Sequence, residues 1–200
     1  MKLYFVRHGE SEANTQHVIS NRESPFSLTP LGQQQAIILA EKLRDVPFTT
    51  IFSSPVRRAR ETADILSRSL GLPYHVTEAL REYDCGVLEE KSDEASWKLH
   101  REIADDWTLH HNYERKPEDG ECFLEIRDRF VPFIESLKHG KGGCILLVGH
   151  GGLFQLMLPL VLRDIEDDFV RSHGIGHTAC VIAESLSDGF VCRQWGDIRF

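Results

Sequence analysis

Apolar residues along the chain follow two alternating rhythms. Short continuous apolar runs at 2–6, 50–52 and 144–148 each end in a polar cluster: Arg7-His8-Gly9-Glu10, Ser53-Ser54-Pro55 and Gly149-His150-Gly151-Gly152. The runs alternate with segments in which apolar residues return every three or four positions, predicting helices over 29–44, 55–70, 121–138 and 151–162. Repetition of strand, polar turn and helix predicts an α/β fold, a three-layer α/β/α sandwich around a mainly parallel sheet. Thr29 before Pro30 reads as an N-cap with proline at the first helical position; Ser54-Pro55 repeats the arrangement, and Gly71 stops the second helix. Near the end, 178–183 and 190–195 alternate apolar with polar and predict an antiparallel pair joined near Asp188-Gly189.

Between 83 and 120 the strand rhythm disappears, and Trp97, Leu99, Ile103 and Trp107 fall at helical spacing. A segment this small cannot hold its own core. It reads as an inserted helical cap at about 87–117, lying across the sheet edge of a single domain spanning 1–200. Trp97, Trp107 and Tyr113 have two readings, packing onto their own domain or roofing a cleft, and the sequence leaves both open.

Composition narrows the function classes. The chain has 200 residues, 41% hydrophobic and 27% charged, as in one ordinary globular domain. Twenty-three Lys and Arg against 31 Asp and Glu give a net charge of −8, which argues against nucleic acid or an anionic membrane as partner. The longest apolar stretch, 151–162, is broken by Gln155 and Pro159 and is too short to span a bilayer. With no export signal at the start, and with Cys85, Cys122, Cys144, Cys180 and Cys192 widely spaced, the expectation is a cytoplasmic protein with reduced thiols. Oligomeric state has no signature in the sequence.

In an open parallel sheet, ligands bind beyond the carboxyl ends of the strands, where loops and helix N-termini meet. The three strand ends bring two histidines and at least two arginines to one cleft, the composition of a phosphate pocket. Arg57 and Arg58 lie in the first turn of a helix, where a cation opposes the macrodipole by about 0.3–1 kcal/mol. Arg57 reads as paired with Glu61, and Arg58 as facing a bound anion. Gly9, lacking Cβ, is expected to let the backbone pass close to that ligand.

Arg7-His8-Gly9-Glu10 with Asn14 resembles the signature of the histidine phosphatase superfamily, in its phosphoglycerate-mutase-like branch. The resemblance continues in order through Leu28-Thr29, Gly32 and Gln35-Ala36, then the block from Ser53 to Ala63. It goes on through Leu80-Arg81-Glu82 with Gly86, Gly120-Glu121, and Val148 to Gly152. It covers most of the chain except 87–117. The resemblance implies that His8 is the nucleophile that becomes phosphorylated. Arg7, Arg58 and His150 would surround the transferred group, and Glu82 would be the proton donor. It further implies phosphate contacts at Asn14, Ser20 and Gly151, with Glu10 behind them. No metal and no cofactor is implied, and the partner is a small phosphorylated substrate.

After Gly86 the chain departs from the common pattern, running Val87-Leu88-Glu89-Glu90-Lys91, and Cys122 stands where many relatives carry serine. Hydrolysis of a phosphomonoester is the expected activity. The alternatives are a cofactor-dependent phosphoglycerate mutase and a catalytically weak phosphate-binding regulatory module. Mutases resemble one another in an Asn where this chain has Gly152 and in an Arg-rich insertion; here only Lys91, Lys98, Arg101, Arg115 and Lys116 are available. A metallohydrolase reading draws on His110-His111, His173 and His177, but no ligand motif accompanies them. They read as surface or cap residues.

Overall fold

The computed structural model describes residues 1–22, 25–138 and 142–200. In chain order it holds β1 (Lys2–Arg7), α1 (Glu12–Thr15), α2 (Pro30–Lys42), β2 (Phe48–Ser53), α3 (Arg57–Leu70), β3 (Tyr74–Val76) and α4 (Glu94–Thr108). It continues with α5 (Phe123–Leu137), β4 (Cys144–Gly149), α6 (Gly151–Met157), α7 (Asp167–Ser172), β5 (Cys180–Leu186), β6 (Gly189–Trp195) and β7 (Ile198–Arg199). The strands form one seven-stranded sheet in the order β3-β2-β4-β1-β5-β6-β7. The first four are parallel and β5 to β7 are antiparallel additions.

The unbroken apolar runs are the strands buried on both faces, as a covered parallel sheet requires. Along β1, Leu3 and Phe5 enter a core with Phe130, Leu147 and Phe154, whereas Tyr4 and Val6 enter the opposite core with Ala59, Leu66 and Leu146. The register sets Arg7 beside Gly149 and Ser53 beside Val148. The three polar strand ends therefore emerge side by side.

The caps and ends come out differently from one another. Thr29 Oγ1 accepts from Gly32 N at 3.0 Å with Pro30 at the first position, as expected. Ser54 does not repeat this: α3 begins at Arg57 and its N-cap is Val56. Ser54 Oγ instead accepts from Val56 N at 3.2 Å and contacts His150 Nε2 at 2.8 Å, so the extra residues form the turn that carries Ser54 to the site. The helix expected over 151–162 stops at Met157 and continues as a 3-10 turn over Leu158–Leu160, because Pro159 supplies no backbone N–H. Two short strands, β3 and β7, had no recognisable run of their own; three and two residues leave too little pattern to read. The closing pair β5 and β6 is antiparallel, with Leu186 opposite Gly189.

The helix expected around Trp97 to Trp107 exists as α4, capped by Asp93 Oδ1 on Ser96 N at 3.0 Å. Buried Trp107 stands edge-on to Tyr83 at 5.5 Å between ring centroids, and Trp97 Nε1 donates to His17 O at 2.7 Å. These two anchors draw α4 to the carboxyl ends of β1 and β4, where Trp97 and His100 line the same cavity as Arg7 and His8.

Candidate active site

That cavity, of about 200 Å³, is walled by Arg7, His8, Asn14, Arg58, Glu82 and Gly151 among others. Ser20 also lies in its wall. Arg7 and His8 extend β1, Arg58 lies in the first turn of α3, and Glu82 stands in the loop after β3. Gly151 opens α6 immediately after His150.

His8 is 2% exposed, and its ring is oriented from both nitrogens. Nδ1 lies 2.7 Å from the carbonyl of Gly9, an acceptor, so Nδ1 carries the hydrogen and Nε2 the lone pair. Arg58 Nε donates to that lone pair at 2.8 Å. Burial above all, then the positive charges of Arg58 and Arg7, hold the imidazole well below its ordinary 6.5. His8 is thus a neutral ring with Nε2 basic and directed toward the Arg58 guanidinium.

Arg58 is 4% exposed and touches three partners: His8 Nε2, the carbonyl of Ser20 at 2.5 Å and His150 Nδ1 at 3.2 Å. Burial lowers it from 12.5 to about 10, and Glu82 works in the opposite direction. The guanidinium remains charged near neutrality. Arg57 turns outward to Glu61 at 2.8 Å, as expected of it. Arg7 Nη1 donates to Ile175 O at 2.7 Å, while its buried Nε has no partner among the described residues. One oriented donor in the wall is therefore unused by the protein. A Cβ at Gly151 would sit 3.1 Å from Arg7 Cδ, so the glycine gives the arginine its space.

Glu82 is 7% exposed. Oε1 accepts from Tyr83 N and Oε2 from Gly152 N, each at 3.1 Å. Burial raises its pKa; Arg58 and the backbone N–H groups of Tyr83 and Leu153 pull it the other way. A Cβ at Gly152 would lie 2.8 Å from Tyr83 and 2.9 Å from Glu82 Oε2, so a larger residue would displace the carboxylate.

Gly9 is needed against protein: a Cβ there would meet Gly32 O at 2.4 Å, where the turn after β1 crosses the start of α2. Glu10 lies behind the site, accepting from Thr29 Oγ1 at 2.8 Å. All the hydrogen bonds described for the Asn14 side chain use Oδ1, which accepts from Ser11 N and Oγ and lies 3.2 Å from His177 Nε2. His150 is fully buried beside His8, with ring centroids 5.1 Å apart. Since a guanidinium only donates, His150 Nδ1 accepts from Arg58, and Nε2–H points to Ser54 Oγ.

His177, expected on the surface, is half-buried against Arg7. Its Nε2 lies 3.0 Å from Arg7 Nη2, and burial with Arg7 lowers it to about 4. The segment before β5 passes over the end of β1, where Thr178 N donates to Arg7 O at 3.0 Å; no local pattern announces that pairing. Ser54 and Thr62 were likewise missed. Thr62 Oγ1 accepts from Gly9 N at 3.1 Å and donates to Arg58 O at 2.8 Å, tying the loop after β1 to α3. Its place one helical turn after Arg58 was the available signal. Among the described residues no group of three or more His, Cys, Asp or Glu side chains is placed to hold a metal ion.

Comparison with known proteins agrees with this geometry. The sequence profile of the histidine phosphatase superfamily (branch 1) matches residues 3–198. A Citrobacter koseri protein named "Probable phosphoglycerate mutase GpmB" is 33% identical over 169 residues, covering 81% of this chain and 75% of its own. A Hydrogenobacter thermophilus protein named "Putative phosphoserine phosphatase 2" is 33% identical over 160 residues, covering 80% and 78%. The solved structure of Bacillus stearothermophilus YhfR superposes with a TM-score of 0.84 at 28% identity, covering 98% of this chain and 97% of the other.

Proposed function

The chain belongs to the histidine phosphatase superfamily, branch 1, and on that footing we propose that it is a phosphomonoesterase using His8 as nucleophile against small phosphorylated metabolites. The observation that carries this reading is the neutral His8 ring with its Nε2 lone pair directed at Arg58.

In the first half-reaction Nε2 attacks phosphorus, the P–N bond forms and the P–O ester bond breaks. A neutral imidazole needs no second base for this. Arg58 releases Nε2 and, with Arg7, binds the oxygens on which charge accumulates; the unused Nε of Arg7 is one such donor. Glu82, kept protonated more readily by burial, passes its proton to the departing oxygen. In the second half-reaction the Glu82 carboxylate takes a proton from water as that water attacks phosphorus. The P–N bond breaks and inorganic phosphate leaves. His150, Ser54 and Thr62 hold Arg58 and His8 in place.

Segment 87–117 acts as a cap on the single domain 1–200, and the enzyme works in the cytoplasm without metal or cofactor. Among the described residues no helix is long and apolar enough to cross a membrane.

The mutase alternative has one observation in its favour, the name of the Citrobacter relative. Against it, four of the insertion's basic residues are occupied: Lys98 by Glu102, Arg101 by Glu94, Arg115 by Asp106 and Lys116 by Glu125. None of the four lines the cavity, so none is placed to hold a substrate carboxylate. The deciding experiment incubates the protein with phosphorylated metabolites, with and without bisphosphoglycerate and EDTA. Free phosphate in every condition is expected. Isomerised phosphoglycerate without phosphate release would establish the mutase, and loss of activity in EDTA restored by a metal would overturn the metal-free reaction.

A further inference from the structure

A second cavity of about 200 Å³ adjoins the catalytic one, and the two share Tyr83, Gly152 and Gln155 in their walls. Its other walls are mainly apolar and include Trp107, Tyr113, Phe123, Leu156 and Val170. This annex has room for a ring-sized group.

We propose that the annex receives the leaving alcohol, so that the preferred substrates are phosphate monoesters of alcohols carrying an alicyclic or aromatic ring rather than of short polar ones. This deepens the phosphatase reading and rests on it. The argument comes from the acid. Glu82 is held by the backbone N–H groups of Tyr83 and Gly152, the same residues that border both cavities. A leaving oxygen that takes its proton from Glu82 therefore lies at this border, with phosphorus toward His8 and the carbon of the alcohol toward the annex. Two of the polar side chains in its wall are already engaged. Tyr83 OH lies 2.8 Å from His100 Nε2, and Arg171, at the outer rim, is ion-paired with Asp168. An apolar body with one oxygen at its end matches such a lining better than a charged or polyhydroxylated one.

The test compares kcat/KM for cyclohexylmethyl phosphate and ethyl phosphate, whose alcohols are of similar basicity, in the wild-type protein and in Ala104→Phe, which fills the annex from α4. Leu160→Asp, at a rim position 44% exposed, is the second variant should the first fail to fold. The wild type is expected to prefer the cyclohexylmethyl ester by about tenfold or more, and either variant to bring the ratio toward one. Equal wild-type values, or an undiminished ratio in the folded variants, would overturn the annex as the alcohol's site while leaving phosphatase activity intact. Absence of phosphate release from these and all other monoesters would overturn the phosphatase reading and this inference together.

Discussion

Arg58 Nε donates to His8 Nε2 at 2.8 Å, so the lone pair of the proposed nucleophile and the cation proposed to hold its target face each other. The contact does two things. It confirms, with the Gly9 carbonyl on Nδ1, which ring nitrogen is basic, and it helps keep His8 unprotonated.

Removing that guanidinium should cost catalysis heavily. Arg58→Ala is expected to lower kcat by roughly 10²–10³, the usual effect of losing one oriented donor to a transition-state oxyanion. Arg58→Lys should recover little, because one ammonium cannot serve His8, Ser20 and His150 as the fork does. Proton NMR titration of His8 should also show its pKa rising in Arg58→Ala. Unchanged kcat in either variant contradicts the assignment.

Glu82 should matter in proportion to how much the leaving group needs a proton. Glu82→Gln is expected to lower kcat/KM, which reads the phosphorylation half-reaction alone, by about 10²–10⁴ for an alkyl phosphate and far less for 4-nitrophenyl phosphate, since nitrophenolate departs unprotonated. The wild-type rate on the alkyl ester should fall as pH rises through the elevated Glu82 pKa, and the Gln variant should lose that limb. Equal losses on both esters would show that Glu82 is not the acid.

How much of this was legible beforehand follows a physical division. The strand ends carrying Arg7, His8 and His150 were readable because buried parallel strands are continuous apolar runs and their exits are abruptly polar. Arg58 was readable because a cation in a first helical turn conflicts with the helix dipole. His177, Ser54 and the border of Glu82 with Gly152 were not, since each reaches the site through contacts between residues distant in sequence: 163 to Asn14, 96 to His150 and 70 to Gly152. The position of α4 has the same origin. Its amphipathic spacing gave the helix, but only the Trp107 and Trp97 anchors decide where it lies.

Stability should fall on mild acidification. His8 and His150 are held well below 6.5, and His100 and His177 at about 4, chiefly by burial. The unfolded chain takes up protons as pH falls through about 6.5 while the folded chain does not, so stability present above that value is lost below it. Glu82 has the opposite sign: its raised pKa lets the folded chain take up a proton before the unfolded chain does, which offsets part of that loss. For the fully buried pair the loss is about 1 kcal/mol per pH unit per histidine. Urea midpoints measured at pH 7 and 5 should differ accordingly, with a smaller difference in His100→Phe. Equal midpoints in the wild type would mean that these rings protonate in place.

The covalent intermediate is the most direct test of the whole account. Rapid mixing with a ³²P-labelled monoester, an alkaline quench and peptide mapping should give label that is stable to alkali, labile to acid and carried by the peptide containing His8. His8→Ala, folded by circular dichroism, should carry none and release no phosphate. Label on another residue, or full turnover in His8→Ala, would contradict nucleophilic catalysis by His8.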